Sequence, residues 1–267
     1  MKDRMDDPLT PRPRAADVNV ATKFRSADDA WRALRAAACA PYRSAGHFAW
    51  HFARGKLRID PVFRHLLREG LIPPDSRVLD IGCGQGLLAS LLAESERLAR
   101  EGAWPAAWGS PPRGVRVTGI ERMPRDVERA RRALGNRATF VCGDMRELPF
   151  PAADVVVLLD VLHYIPIAEQ DRVLGRIRAL LPERGRLLLR VGDAAARVGF
   201  ATSQWVDRIV TRVRGHRVSP TFCRPLPIWV RRLKDFGFDV EARPMSSGTP
   251  FANVLLVARA TAAGGPR

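Results

Sequence analysis

The sequence predicts an α/β fold, a mostly parallel sheet covered by helices with a ligand pocket at the carboxyl edge of its strands. Three observations predict it. Residues 77–86, Arg77-Val78-Leu79-Asp80-Ile81-Gly82-Cys83-Gly84-Gln85-Gly86, read as a short buried strand that ends in an acid and breaks into a glycine turn. A helical pattern follows at once in Leu87, Leu88, Leu91 and Leu92, and strand, glycine turn and helix N-terminus together make a nucleotide-type pocket. Further apolar runs then alternate with helical patterns, and the runs at 115–121 and 138–144 again close on an acid, Glu121 and Asp144.

Size and composition permit this fold. The chain has 267 residues, 46% of them hydrophobic, enough for one α/β core with appendages. No run of about eighteen apolar residues predicts a membrane-spanning helix. The polar start after Met1 does not resemble a secretory signal. Cys39, Cys83, Cys142 and Cys223 are scattered without a C-x-x-C pair. They read as reduced thiols of a cytoplasmic protein, with neither a metal site nor a disulfide frame. Net charge is +16, and all basic residues but Lys2, Lys23, Lys56 and Lys234 are arginine. That bias reads either as an arginine-rich proteome or as a surface for an acidic carrier protein, nucleic acid or anionic membrane.

Taken in order, residues 1–25 hold Pro8, Pro11 and Pro13 among mixed charges and predict a disordered tail. Residues 26–70 predict a helical segment. Ser26 caps a helix whose buried side is Trp31, Leu34 and Ala38, and Pro41 ends it. The stretch 42–57 is dense in aromatic and basic residues. Phe48 and Phe52, four apart, read as core contacts, whereas His47, His51, Arg54 and Lys56 read as a polar set facing a ligand. Asp60-Pro61 opens another helix, ended near Gly70.

The domain proper is expected over 71–260. The glycines Gly82, Gly84 and Gly86 give G-x-G-x-G, not the G-x-G-x-x-G of dinucleotide sites. An acid directly before the turn suits a cationic or hydroxyl-bearing ligand better than a pyrophosphate. Residues 96–114 form an insert in which Trp104 and Trp108 lie among prolines and glycines. It either caps the sheet edge or offers semi-exposed aromatics for docking. The second strand ends at Glu121, a position that accepts ribose hydroxyls in nucleoside-binding sheets; the insert explains its distance from Gly86. A basic helix over 127–134, a third strand before Asp144 and a continuous apolar strand 153–160 follow. Next come a helix over 168–181 and a fifth strand at 186–191. Residues 194–235 predict acceptor-side helices. Trp205, Ile209 and Val213 recur at helical spacing opposite Arg208, Arg212 and Arg214, a pattern that fits packing on the domain or lying on a membrane. Two late strands, 238–242 and 253–258, close the sheet, and 261–267 read as a tail.

In its acid-then-glycine turn and the three acids that follow at later strand ends, the chain resembles the class I S-adenosylmethionine-dependent methyltransferases. The resemblance covers about residues 70–260 and implies a Rossmann-like, seven-stranded, mostly parallel sheet of order 3-2-1-4-5-7-6, with an antiparallel last strand and an N-terminal helical lid over 26–70. It implies S-adenosylmethionine as cofactor, with Asp80, Gly82, Cys83, Gly84 and Gly86 at the turn, Glu121 at the ribose, Arg122 also in contact with the cofactor, Asp144 at the adenine amino group and Met145 on the ring. Asp160 would meet the methionine end, and Arg54 or Lys56 its carboxylate. Asp160-Val161-Leu162-His163-Tyr164 resembles the family's fourth motif, which sits beside the reactive methyl. There His163 is either a catalytic base or a pocket-lining histidine. His47 and His51 are second choices.

The string 41–57 resembles, more distantly, the methyltransferases of bacterial arylpolyene (xanthomonadin-type) pigment synthesis. That implies a small phenolic or aromatic polyketide-like acceptor of secondary metabolism, tethered or not to an acidic acyl carrier protein. Two other readings stand beside it. One is an RNA methyltransferase, favoured by charge but lacking an RNA-binding module. The other is a non-catalytic scaffold, disfavoured by the intact Asp80, Glu121 and Asp144.

Overall fold

A computed structural model describes residues 24–192, 222–245 and 253–262. Most of the two expected tails and all of the 194–221 amphipathic segment lie outside these residues.

Seven strands form one sheet of order β3-β2-β1-β4-β5-β7-β6. β1 (Arg77–Ile81), β2 (Arg116–Glu121), β3 (Thr139–Cys142), β4 (Val155–Leu159) and β5 (Arg186–Gly192) run parallel. β7 (Asn253–Ala260) enters antiparallel between β5 and β6 (Phe238–Pro244). Side chains alternate across the sheet, because successive strand residues point to opposite faces. Val78, Val155, Val157 and Leu188 join one core, and Leu79, Ile81, Val156, Leu158 and Leu187 the other.

On the first face lie α1 (Ala27–Cys39), α2 (His47–Ile59), α3 (Pro61–Arg68), α4 (Leu87–Arg100) and α5 (Pro124–Leu134). On the second lie α6 (Ile167–Leu180) and α7 (Leu226–Asp235). Two helix starts follow directly from side-chain capping. Ser26 accepts the Asp29 N–H at 3.1 Å, with Asp28 and Asp29 in the positive first turn. Asp60 caps α3 by accepting the Val62 N–H at 3.1 Å, ahead of Pro61.

Two expectations need correction. The insert begins after residue 100, since α4 extends to Arg100, and of its two readings the inward-packed one fits its tryptophans. Trp108 is buried, Trp104 packs edge-on against it at 5.2 Å, and the Trp104 indole donates to the Gly109 carbonyl at 2.8 Å. Large aromatic side chains gain more inside than in water, so the loop folds in and adds Trp108, with Trp104 packed against it, to the first core. Phe48 is not core: it is 40% exposed, stacked on Phe52 and covered by the Arg129 guanidinium at 4.5 Å.

Helices α1–α3 are fastened to the glycine turn. Tyr42, fully buried, donates its hydroxyl to the Gln85 carbonyl at 2.8 Å, and Ser90 on α4 donates to the Ala38 carbonyl at 2.7 Å.

Candidate functional site

The strand order reverses between β1 and β4, which opens a crevice at their carboxyl ends. The expected site residues gather on this edge. β1 delivers Asp80 and the turn 82–86. Glu121 at the tip of β2 organises that turn: its carboxylate accepts the Gly84 N–H at 3.0 Å and the Met123 N–H at 2.9 Å. Glu121 therefore shapes the glycine bend as well as facing it.

The three glycines have different jobs, although all have positive φ. A Cβ on Gly82 would sit 2.6 Å from a Val161 methyl, and one on Gly86 2.6 Å from the Phe140 ring. These two glycines serve internal packing. A Cβ on Gly84 would meet nothing within 4 Å, so the open side of the turn is at Gly84. Gly119 on β2, unremarked in the sequence, is small for Cys83, whose Sγ would lie 2.6 Å from an added Cβ.

Asp80 is buried, at 5% exposure, and has no hydrogen bond or ion pair among the described residues. Burial, then the neighbouring Glu121 charge, pushes its carboxyl up to about 7. A buried acid beside a second acid and an open glycine cradle is a site for a cation. A sulfonium nucleoside fits this set: positive charge for Asp80, vicinal hydroxyls for Glu121 and close backbone approach at Gly84.

The other expected contacts are placed less simply. Asp144 follows β3, next to the tip of β2, where the Gly143 N–H reaches the Glu121 carbonyl at 3.0 Å. Its carboxylate is already engaged by the Arg146 guanidinium (2.6 and 3.0 Å), which holds it below the usual carboxylate range. Arg122 lies 4.0 Å from Asp144 and is mostly exposed. Met145 is half-buried, and Arg176 of α6 ties down its loop by donating to the Met145 carbonyl at 2.8 Å and the Arg146 carbonyl at 3.0 Å.

Asp160 ends β4 with φ +58°, a left-handed conformation uncommon outside glycine. It does not stand free: Arg190 of β5 donates to it through Nε at 2.8 Å. The same guanidinium grips Asp60, with Lys56 2.7 Å from Asp60 and 4.0 Å from Asp160. Burial alone would raise the Asp60 carboxyl, but Lys56 and Arg190 outweigh it and hold it far below the carboxylate range. Arg54 instead stacks on Trp50, its guanidinium carbon 4.6 Å from the ring centroid. The sequence reading missed Arg190 and Asp60. An arginine inside the apolar run Leu187-Leu188-Leu189-Arg190-Val191 was the available signal, since such a charge is buried only with partners.

His163 sits in a short 3-10 turn, Leu162–Tyr164. The turn is pinned by the Phe222 N–H on the His163 carbonyl at 2.8 Å and by the buried Gln170 amide near the Leu162, Ile165 and Phe222 carbonyls at 2.8–3.2 Å. Burial depresses the imidazole, with Asp160 opposing more weakly, so the ring is neutral at pH 7. Leu162, His163, Arg190, Val191, Gly192, Cys223 and Trp229 line a cavity of about 10 Å³. Trp229 is 1% exposed, and its indole N–H has no hydrogen-bond partner among the described residues.

Comparison with known proteins agrees with this fold. The profile of a family described as "Methyltransferase domain" matches residues 49–242. The carboxy-S-adenosyl-L-methionine synthase of Chromohalobacter salexigens is 32% identical over 129 residues, 46% of this chain and 43% of that protein. The malonyl-[acyl-carrier protein] O-methyltransferase of Anoxybacillus flavithermus is 25% identical over 67% of this chain and 65% of its own length. This chain thus spans less than two thirds of these first relatives. Among solved structures, an O-methyltransferase family protein from Burkholderia thailandensis aligns over 83% of this chain and 63% of its own, with TM-score 0.55 and 21% identity. Magnesium protoporphyrin IX methyltransferase from Synechocystis, solved with bound SAH, aligns over 83% and 93% with TM-score 0.52 and 21% identity.

Proposed function

The chain belongs to the methyltransferase-domain family, whose cofactor is S-adenosylmethionine, and from that premise we propose that it methylates a small phenolic or aromatic polyketide-like acceptor, delivered by an acidic acyl carrier protein. The observation that carries the reading is buried, neutral His163 beside apolar Leu162 and Trp229, on the strand edge that also holds Asp80 and Glu121. The malonyl-[acyl-carrier protein] relative and the +16 charge support a carrier as the delivering partner.

The cofactor supplies an activated methyl on a sulfonium centre. This chain's residues supply position and a dry cavity. Asp80 compensates the positive charge, Glu121 accepts from the ribose hydroxyls, and the 144–145 loop borders the adenine with Arg122 at its rim. Asp160 and Lys56, carrying opposite charges 4.0 Å apart, match the ammonium and carboxylate of the methionine end. Neutral His163 takes the proton from a phenolic hydroxyl as it attacks.

The test is label transfer. With methyl-labelled S-adenosylmethionine, hydroxylated aromatic acids offered free and as carrier-protein thioesters should take up label, and bulk RNA should not. Label entering RNA, with none entering any aromatic acceptor, refutes the proposal. Substituting His163→Ala should lower kcat and leave cofactor affinity unchanged.

A further inference from the structure

We infer that Asp60, at the joint between α2 and α3, is a positioning residue for cofactor binding: by sharing the Arg190 guanidinium with Asp160, it leaves Asp160 anionic toward the pocket. The inference rests on the proposed contact between Asp160 and the methionine end of S-adenosylmethionine.

Arg190 is 2% exposed and stands among the fully buried Leu187, Leu188 and Leu189 on β5. It is held by two carboxylates from distant parts of the chain. Its Nη2 lies 2.7 Å from Asp60 and its Nη1 also reaches Asp60, while Nε lies 2.8 Å from Asp160 and Nη2 also touches Asp160. Side-chain exposure rises along the row, from 1% at Arg190 to 9% at Asp60 and 28% at Asp160. The one carboxylate open to the outside is the one at the strand tip, beside Val161 and the Gly82 turn.

Charge counting gives the consequence. One buried guanidinium facing one carboxylate would form a closed neutral pair. Asp60 and Asp160 together balance Arg190 and Lys56, so Asp60 takes one cation's worth of charge off Asp160, and Asp160 is the exposed member that an outside cation can meet. Lys56 meets Asp160 from 4.0 Å, while its closer bond is to Asp60 at 2.7 Å. Asp60 therefore also keeps Lys56 from closing on Asp160. Removing the Asp60 charge would turn both cations onto Asp160 and spend the charge meant for the cofactor.

The N-terminal helices thereby complete a site whose other parts lie on the sheet. A leucine at 190 would pack the strand as well, and the α2–α3 joint would need only its cap. Neither structural need accounts for a bidentate arginine bridging Asp60 and Asp160.

The experiment is calorimetry on the full chain with two ligands. S-Adenosylmethionine carries the methionine end and the sulfonium; 5′-methylthioadenosine carries neither, yet fills the same nucleoside site. Asp60→Asn keeps the helix cap and removes the charge. It should weaken S-adenosylmethionine by about tenfold and leave methylthioadenosine within about twofold. Asp60→Glu, which keeps the charge, should stay near wild type on both. The ratio of the two affinities is read on the folded fraction, so lowered stability does not hide it. Equal losses on both ligands, an unchanged S-adenosylmethionine affinity, or a ratio that shifts as far in Asp60→Glu would overturn the inference. Asp160→Asn separates the two levels: if it leaves S-adenosylmethionine affinity intact, the Asp160 contact itself is wrong.

Discussion

Cofactor affinity should depend on pH through Asp80. Its carboxyl is buried beside Glu121 and pushed from 3.8 up to about 7. Without ligand, the folded chain holds that proton more tightly than the unfolded chain. Its stabilising contribution is therefore complete below about pH 4 and is lost as pH rises through about 7. A cationic ligand reverses the preference, because an opposite charge within about 4–6 Å lowers a carboxyl by about one to three units. Taking a bound value about two units lower, affinity for S-adenosylmethionine should fall about 20-fold from about pH 7.5 to about pH 5.5. Binding near pH 6 should release about 0.8 proton. Calorimetry in buffers of different ionisation enthalpy measures both quantities. Asp80→Asn should bind more weakly at pH 7.5 and lose both the slope and the proton release. An affinity constant within twofold across this range, with no proton released, would refute the assignment of Asp80 as the buried counter-charge.

Other substitutions test the remaining parts of the site. Gly84→Val strains a backbone held at φ +54°, but its Cβ meets no protein atom within 4 Å, so the chain should fold with lowered stability and lose cofactor binding; unchanged affinity by dialysis would move the pocket elsewhere. Glu121→Ala removes the acceptor of the Gly84 and Met123 amides as well as the proposed ribose contact, and should weaken S-adenosylhomocysteine by about 1–3 kcal/mol in calorimetry. A wild-type value there would assign the ribose to another residue. Tyr42→Phe strips one buried hydroxyl from the Gln85 carbonyl and should lower the unfolding free energy in urea by about 1 kcal/mol. No change would mean that this hydroxyl does not fasten the N-terminal helices to the turn.

Much of this protein is written locally. Strand β1, its acid and its glycine turn occupy ten consecutive residues, so bond geometry and burial dictate them without distant help. Apolar runs and caps likewise placed the helices and strands to within a few residues, and the positions of the strand-end acids marked the edge of the proposed site. The insert was legible as an insert, but its tryptophans were not legible as core, because a tryptophan between prolines packs inward or outward according to what lies beneath it.

Partnership across the chain was decided only by the tertiary structure. Nothing near Asp60 in the sequence names Arg190, 130 positions away, and nothing near Asp160 says its charge is already shared. The same holds for the glycines: three similar letters in one turn divide into two packed against Val161 and Phe140 and one left open, according to neighbours brought by other strands. The sequence determined which chemical groups stand at the strand ends, because periodicity and turn chemistry act over a few residues. Folding decided which of those groups keep their charge for a ligand, because electrostatic and steric neighbours act through space.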